Sequence, residues 1–296
     1  MGRFLGAAPG GPRRLRELLA GSEPVLAPGV FDALGARLVE EAGFAAVYMT
    51  GFGTAAALVG RPDVGLLTMS EMVGNAARIV AACELPVIAD ADTGYGNPLN
   101  VIRTVQEYER AGVAAIHLED QVAPKRCGHM DGKQVIPTVE MEAKIRAAVA
   151  ARRSADFVII ARTDARAMEG MDSAVDRARR YRDAGADVLF VEAAETEDEI
   201  ATVAGRLGDV PLLFNWAEGG KTPPVDYARL AELGFKIVIF PIATLLGTTA
   251  WIRHALAEIR AAGTPLPIMD ELPRFDEFLD FIGVPEIHEL EDRFRS

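Results

Sequence analysis

The chain has 296 residues, half of them apolar, which is enough for one large domain and is near the size of a single α/β barrel. Its net charge of −12, without a long basic block, excludes a general nucleic-acid surface and an anionic-membrane surface, so neither partner is expected. Two cysteines in unlike contexts exclude a disulfide framework and, with no apolar segment of signal or membrane-span length, favour a cytoplasmic protein.

Short apolar runs alternate with helix-period segments along the chain. The candidate strands cover residues 25–27, 46–49, 87–89, 115–118, 157–161, 188–191, 212–214 and 237–240. The candidate helices include residues 33–42, 71–82, 99–111, 139–151, 173–184 and 227–233. Eight strand-and-helix units predict an α/β fold, a (β/α)₈ TIM barrel over residues 1–262, with a C-terminal helical extension over 263–296. An open doubly wound sheet is the alternative, but no glycine-rich nucleotide-binding fingerprint follows an early strand.

Polar residues collect directly after the candidate strands. They are Thr50 and Gly51, Asp90 and Asp92, Glu119, Arg162 and Asp164, Glu192, and Asn215 with Glu218. In a barrel, the loops that follow the carboxyl ends of the strands converge at one face. The sequence therefore predicts one shared site at that face.

Asp90 and Asp92 carry the hypothesis of a metal site. Two residues apart in an extended strand end, they would share a face, where a hard cation such as Mg²⁺ could bind one directly and the other through water. The alternative is that one of them caps the next helix while residues 93–96 form a turn. Glu119 and Glu192 at neighbouring strand ends favour the metal.

Cys127 lies in a polar loop among Lys125, Arg126 and His129. These cations predict a lowered thiol pKa, and the loop is typical of a lid that brings an acid or base to a substrate. An incidental loop cysteine is the alternative. Cys83, in a helical stretch, is assigned to packing.

Three further side chains have competing interpretations. Arg162 could bind a substrate carboxylate or form an ion pair with Asp164 or Glu192. His117, within an apolar strand, is more typical of a hydrogen-bonded core residue than of a catalyst. Lys221 lies in a loop rather than on a buried strand, which argues against a Schiff-base lysine.

Together the motifs resemble the isocitrate lyase and phosphoenolpyruvate mutase superfamily over nearly the whole chain. The resemblance rests on residues 48–51 (YMTG), 60–65 (GRPDVG), 90–96 (DADTGYG), 117–121 (HLEDQ), 125–129 (KRCGH), 161–165 (ARTDA) and 215–223 (NWAEGGKTP). It implies a barrel whose last helix is exchanged with a partner subunit in a homodimer or homotetramer. It also implies a Mg²⁺ ion, or Mn²⁺ in its place, and a small-molecule carboxylate substrate.

The resemblance also implies a role for each matching residue. The metal would be held by Asp90 and Asp92, with Asp63 and Glu119 reaching it mainly through water. The substrate would contact Thr50, Gly51, Phe52, Gly128, Arg162, Glu192 and Asn215. Backbone amides of Thr50 and Gly51 would hold a carboxylate, and Phe52 would narrow the pocket. The implied catalytic residues are Cys127, as the proton donor, with Glu119, Arg162, Lys125 and His129.

The activity implied by the resemblance is that of a Mg²⁺-dependent carbon–carbon lyase. Such an enzyme cleaves a 2-hydroxy di- or tricarboxylate, of the alkylmalate or methylisocitrate type, by retro-aldol chemistry. Members that cleave methylisocitrate usually carry a basic residue shortly after the eighth strand, where it meets a third carboxylate. Residues 240–246 contain none, and although Arg274 is an alternative partner, a dicarboxylate is favoured. A phosphonate-forming phosphomutase is the alternative within the superfamily, and a non-catalytic keto-acid-binding barrel is the alternative from another class. Cys127 favours the lyase, because a carbanion needs a proton and a migrating phosphoryl group does not.

Overall fold

The computed structural model describes residues 11–130 and 132–295. Eight parallel strands close into a barrel in chain order, and the last strand pairs with the first. The strands are β1 (Val25–Val30), β2 (Val47–Met49), β3 (Val87–Asp90), β4 (Ala115–Glu119), β5 (Val158–Thr163), β6 (Val188–Val191), β7 (Leu212–Asn215) and β8 (Ile237–Phe240). The predicted (β/α)₈ TIM barrel is therefore confirmed, and the open sheet is excluded.

Helices cover the barrel and continue beyond it. They are α1 (Gly11–Leu19), α2 (Ala33–Glu41), α3 (Gly51–Val59), α4 (Met69–Ala82), α5 (Pro98–Arg110), α6 (Thr138–Ala151), α7 (Arg166–Glu169), α8 (Met171–Asp183), α9 (Glu197–Leu207), α10 (Tyr227–Glu232), α11 (Ala243–Ala262), α12 (Phe275–Ile282) and α13 (Val284–Phe294). The helices α2, α4, α5, α6, α8 and α10 lie close to the predicted limits. Among the helices of residues 11–130 and 132–295, none has the length and apolarity that crossing a membrane requires.

The barrel interior follows the two-residue alternation of a β-strand. On β5 the buried Ile160 belongs to the interior apolar cluster, and the next residue on the same face is Arg162. The same relation holds between Phe190 of β6 and Glu192, the first residue after that strand. Leu15 of α1 joins this interior cluster. The apolar barrel core therefore gives way to charged side chains at the carboxyl ends of the strands.

The chain divides into two compact units. The larger is described over residues 11–244 and contains the barrel, and the smaller is described over residues 245–295. The predicted boundary between residues 262 and 263 coincides with the end of α11 and stays a prediction. Helices α11, α12 and α13 contain no buried residue.

Candidate active site

A cavity of about 220 Å³ lies at the carboxyl ends of the strands. Most of the predicted site residues line it, namely Thr50, Phe52, Asp63, Asp90, Lys125, Cys127, Gly128, His129, Arg162, Glu192 and Asn215. The other three do not line the cavity, but each contacts a residue that does. Gly51 lies against Asp90, Asp92 pairs with Lys125, and Glu119 lies beside Arg162. The tertiary structure therefore brings every predicted site residue to one place.

A tight turn, and not an extended strand, joins the two predicted metal ligands. β3 ends at Asp90, and Asp92 has a left-handed backbone with a φ of 47°. The Asp92 amide donates to Asp90 Oδ1 at 2.9 Å. The predicted extended geometry is therefore wrong, although the two residues are in contact. The helix-cap alternative is also wrong, because Asn97 caps α5.

Lys125 lies between two members of an acidic cluster, which consists of Asp63, Asp90, Asp92 and Glu119. Its Nζ atom is 2.7 Å from Asp63 Oδ2 and 2.7 Å from Asp92 Oδ1. All three side chains are largely buried. Lys125 thus neutralises part of this acidic cluster and holds the two carboxylates together.

The acidic cluster contains more carboxylates than Lys125 and Arg162 can pair with. Both carboxylate oxygens of Glu119 are buried without a hydrogen-bond partner. Burial raises the pKa of Glu119 well above its usual range, although Arg162 and Lys125 oppose the shift. Burial, together with the neighbouring carboxylates, raises the pKa of Asp92 to about 6. A divalent cation would relieve this excess of buried negative charge.

The ligand set fits a hydrated ion better than a closed protein cage. Within the described residues, no group of three or more His, Cys, Asp or Glu side chains is arranged to hold a metal directly. Mg²⁺ commonly binds through one or two carboxylates and keeps several waters. The residues present at Asp90 and Asp92 therefore fit Mg²⁺.

Arg162 is held by three carboxylates. Its Nε and Nη2 atoms each donate to Asp164 at 2.9 Å, which is a bidentate pair. Glu192 lies 3.1 Å and Glu119 3.3 Å from the same guanidinium. Despite the opposing effect of burial, Arg162 keeps the pKa of Glu192 well below its usual range. The ion-pair interpretation is therefore correct, and Arg162 also faces the cavity.

The loop of residues 121–130 and 132–136, termed the lid, contributes residues 125–130 to the cavity wall. Its two ends meet at a bridge between Gln121 and Val135. The Gln121 side chain binds the Arg126 backbone amide and carbonyl at 2.9 and 2.8 Å. The Cys127 amide donates to the Asp63 carbonyl at 3.2 Å. These contacts place the Cys127 side chain on the cavity wall.

The predicted lowering of the Cys127 pKa is wrong. Burial raises the pKa of this thiol, and the negative charges of Asp63 and Glu192 act in the same direction. The neighbouring Lys125 is already paired with Asp63 and Asp92, so its charge is not free to stabilise a thiolate. Cys127 is accordingly a protonated thiol at neutral pH, which suits a proton donor.

His129 joins the lid to the loop after β7. Its Nδ1 atom accepts the Lys221 amide at 3.0 Å, and its Nε2 atom lies 3.4 Å from Glu192 Oε1. A Cβ atom on Gly220 would lie 2.7 Å from His129 Nδ1, so the two loops are in close contact. Asn215 donates to both oxygens of Glu192 at 3.3 and 3.1 Å.

His117 is a core residue of the barrel. It is fully buried, its Nε2 atom lies 2.9 Å from the Tyr48 hydroxyl, and burial lowers its pKa to about 4. Sequence reasoning did not assign Tyr48, Pro241 and Ile242, all of which line the cavity. Tyr48 lies on β2 one residue before its end, and Pro241 and Ile242 directly follow β8, so closeness to the carboxyl ends of the strands was the available signal.

The start of α3 packs directly on the acidic cluster. Thr50 caps this helix by accepting the Gly53 amide at 3.2 Å. A Cβ atom on Gly51 would lie 2.3 Å from Asp90 Oδ2 and 2.9 Å from its Cγ atom. Only glycine at position 51 lets the helix start beside this carboxylate.

The Gly51→Ala variant should destabilise the fold by about 1–3 kcal/mol, because the new methyl group displaces the buried Asp90 carboxylate. Gly74→Ala on α4 is the matched control, since a Cβ atom there meets nothing within 4 Å. That control should stabilise the protein by about 0.5–1 kcal/mol. Urea unfolding of both variants measures the difference, and equal effects would contradict the assigned packing at Gly51.

Comparison with known proteins gives one consistent family. Residues 15–260 match the phosphoenolpyruvate phosphomutase family. The chain is 47% identical to 2,3-dimethylmalate lyase of Eubacterium barkeri over 283 residues, covering 96% of this chain and 98% of that protein. It is 46% identical to 2-methylisocitrate lyase of Aeropyrum pernix over 279 residues, covering 94% and 88%.

Solved structures agree with the sequence relatives. A crystal structure of 2,3-dimethylmalate lyase matches with a TM-score of 0.91 and 41% identity, covering 97% of this chain and 96% of that chain. A phosphonopyruvate hydrolase solved with oxalate and Mg²⁺ matches with a TM-score of 0.89 and 31% identity, covering 97% and 99%.

Proposed function

The chain belongs to the phosphoenolpyruvate phosphomutase family, in which its relatives include carbon–carbon lyases, and we propose that it cleaves an alkylmalate-type 2-hydroxy dicarboxylate in a Mg²⁺-dependent reaction. The observation that carries the proposal is the half-buried Cys127 thiol on the wall of the same small cavity as Arg162 and Asp90, where burial raises its pKa. Those three groups supply a proton, a carboxylate partner and a metal ligand. The protein is a carbon–carbon lyase of the isocitrate lyase and phosphoenolpyruvate mutase superfamily.

The shape and polarity of the cavity favour a dicarboxylate with alkyl substituents. Its volume of about 220 Å³ suits a small acid. Phe52, Met130, Pro241 and Ile242 supply apolar surface to its wall. A third carboxylate placed against that surface would lose its hydration without gaining a cation. An alkyl group would instead gain from burial there.

Several protein groups at the cavity are suited to bind the carboxylate and the other oxygen atoms of the substrate. The expected role of the Thr50 amide is wrong, because this amide donates to the Val30 carbonyl at 3.1 Å. The first amides of α3, at Gly51 and Phe52, take its place, since they lie at the positive end of the helix, where a carboxylate is favoured. Arg162 offers its guanidinium, and Gly128 lets the lid backbone pass close to it. Glu192 and Asn215 complete the wall and orient substrate oxygens.

Asp90 and Asp92 would hold the metal, and Asp63 and Glu119 would reach it through water. Bound there, Mg²⁺, or Mn²⁺ in its place, would supply positive charge where negative charge develops on the substrate oxygens. Lys125 holds Asp63 and Asp92 in position.

The reaction is completed by proton transfer from the lid. The substrate hydroxyl gives its proton to solvent as the bond between its carbon and the adjacent carbon breaks, which leaves a keto acid and a carbanion stabilised as an enediolate. Cys127 transfers its Sγ proton to that carbon, and the resulting thiolate regains a proton from solvent before the next turnover. His129 and Glu119 position the reacting groups, because His129 ties the lid to the β7 loop and Glu119 contacts Arg162.

The test is keto-acid release from a substrate panel with Mg²⁺. The panel comprises 2,3-dimethylmalate, other 2-alkylmalates, 2-methylisocitrate, isocitrate, oxaloacetate and phosphonopyruvate. We expect kcat/KM for an alkylmalate to exceed that for 2-methylisocitrate by roughly tenfold or more, because of the unpaired third carboxylate. Addition of EDTA should abolish turnover, and Mg²⁺ should restore it.

Two outcomes would refute this assignment. One is efficient cleavage of 2-methylisocitrate with little activity on any alkylmalate, which would move the substrate to the tricarboxylates. The other is formation of a phosphorus–carbon bond from a phosphoenol substrate, seen by ³¹P NMR, without cleavage of any malate. That result would make the protein a phosphomutase.

We also propose that the protein is a cytoplasmic homodimer or homotetramer in which the last barrel helix is exchanged with a partner subunit. The two cysteines are free thiols, as is usual in a reducing compartment. On α11, the apolar side chains of Leu246, Ile252 and Leu256 are exposed in the single chain, which favours their burial against a second copy.

A further inference from the structure

Lys133 is a buried cation of the lid that none of the roles above uses. Its side chain is only 3% exposed. Its Nζ atom donates a hydrogen bond to the Gly128 carbonyl and lies 3.3 Å from Asp164 Oδ1. A buried ammonium needs anionic or carbonyl partners, and Lys133 has one carboxylate and one carbonyl within reach.

Asp164 connects this ammonium to Arg162. The same carboxylate accepts both hydrogen bonds of the bidentate pair with Arg162, at 2.9 Å each. Asp164 is itself held in place, because its backbone amide donates to Asp120 Oδ1 at 2.9 Å. Lys133 and Arg162 are therefore two cations that share one fixed anion.

Gly128 is the point at which the lid rests on the substrate-binding groups. A Cβ atom there would lie 2.4 Å from Arg162 Nη2 and 2.6 Å from Glu192 Cγ, so the backbone lies directly against both side chains. Gly128 also follows Cys127 in the chain. Any force that fixes the Gly128 carbonyl consequently fixes the position of the neighbouring thiol.

We propose that Lys133 is a positioning residue, which ties the Gly128 carbonyl to the Asp164–Arg162 pair and so holds the Cys127 thiol over the cavity. The expected effect of Lys133 on kcat rests on the proposed lyase function, whereas its expected effect on the position of the lid does not. Lys133 does not line the cavity, so it acts through its two neighbours. Substrate affinity should depend on it less than proton delivery does.

The principal variant is Lys133→Met, which keeps the length and removes the ammonium. We expect kcat for the best substrate of the panel to fall by about a hundredfold, because a small misplacement of the thiol is costly. The dissociation constant of oxalate with Mg²⁺ should change by less than about threefold, because Arg162 and α3 remain in place. Lys133→Arg should recover part of the lost kcat, since a guanidinium can make the same two contacts.

A second measurement follows the lid without any turnover. Cys83 is 2% exposed, so a thiol reagent such as 5,5′-dithiobis(2-nitrobenzoate) reports on Cys127. Oxalate with Mg²⁺ should protect Cys127 in the wild type. In Lys133→Met this protection should weaken by roughly tenfold, because the lid opens more often.

Lys236→Met is the matched control. Lys236 likewise has two oxygen partners, the carbonyls of Gly21 and Ser22, but it precedes β8 at the amino-terminal end of the barrel. This variant should keep the wild-type kcat and thiol protection. A thermal melt of each variant separates a folding defect from a displaced lid.

The outcomes distinguish this inference from the proposed function. Wild-type kcat and protection in Lys133→Met would overturn the inference and leave the lyase intact. Loss of melting stability with unchanged protection would also overturn it, because that pattern belongs to a merely structural lysine. If the wild type cleaves no acid of the panel, loss of Cys127 protection in Lys133→Met would still support the tie between Lys133 and the lid.

Discussion

The Cys127→Ser variant is expected to release keto acid about 10²- to 10⁴-fold more slowly than the wild type, which is the usual contribution of a general acid. A serine hydroxyl is a far weaker acid than a thiol, so it cannot supply the carbanion with a proton at a comparable rate. The lid, Arg162 and the acidic cluster remain unchanged in this variant. Oxalate should therefore bind with Mg²⁺ as tightly as it does to the wild type.

The control is Cys83→Ala. Cys83 ends α4 within the apolar core, and burial raises its pKa to about 11, so it has no access to substrate. Its removal should cost about 1 kcal/mol of stability through the small cavity that it leaves, without changing kcat. Steady-state keto-acid release and calorimetric titration with oxalate measure both variants. Turnover of Cys127→Ser within about threefold of the wild type would eliminate Cys127 as the acid.

The Arg162→Met variant is expected to lose about 3–5 kcal/mol of stability, the typical result of removing one partner from a buried charge cluster. Asp164, Glu192 and Glu119 share this guanidinium, and all three carboxylates are buried. Without it they must either remain as unpaired charges or take up protons. Methionine fills much of the same volume, so the loss of stability measures the removal of the charge rather than the creation of a cavity.

Urea unfolding measures this loss, and Arg229→Met is the control. Arg229 pairs with Glu197 and Glu232 at the exposed surface, where solvent screens the charges. That variant should leave the unfolding midpoint unchanged. A loss below about 1 kcal/mol for Arg162→Met would mean that the three carboxylates do not depend on Arg162 for their charge. Its turnover should be lost in either case, because Arg162 lines the cavity.

The acidic pair illustrates how a correct location can follow from an incorrect geometry. Strand periodicity was enough to place Asp90 at a strand end, because the apolar run before it is unbroken. The left-handed backbone of Asp92 has no comparable signal in the sequence, because residues other than glycine rarely adopt a positive φ. The sequence therefore predicted an extended arrangement. The turn was decided by contacts made elsewhere, including the hydroxyl of Tyr108 on the Asp90 carbonyl at 2.9 Å.

Lys133 illustrates what local sequence context omits. It lies six residues after Cys127, yet its anion, Asp164, comes from a different strand end. The sequence around position 133 is that of an ordinary polar loop. The pairing becomes visible only when the barrel closes and brings the ends of β4 and β5 side by side.

The amino-acid sequence by itself determined the barrel and the face at which the polar residues that follow its strands collect. These depend on hydrophobic period and on the order of strands, which are properties of neighbouring residues. Only the tertiary structure decided the protonation of Cys127 and the partners of its neighbouring cations. A pKa depends on burial and on every charge nearby in space, and most of those charges come from residues distant in the chain.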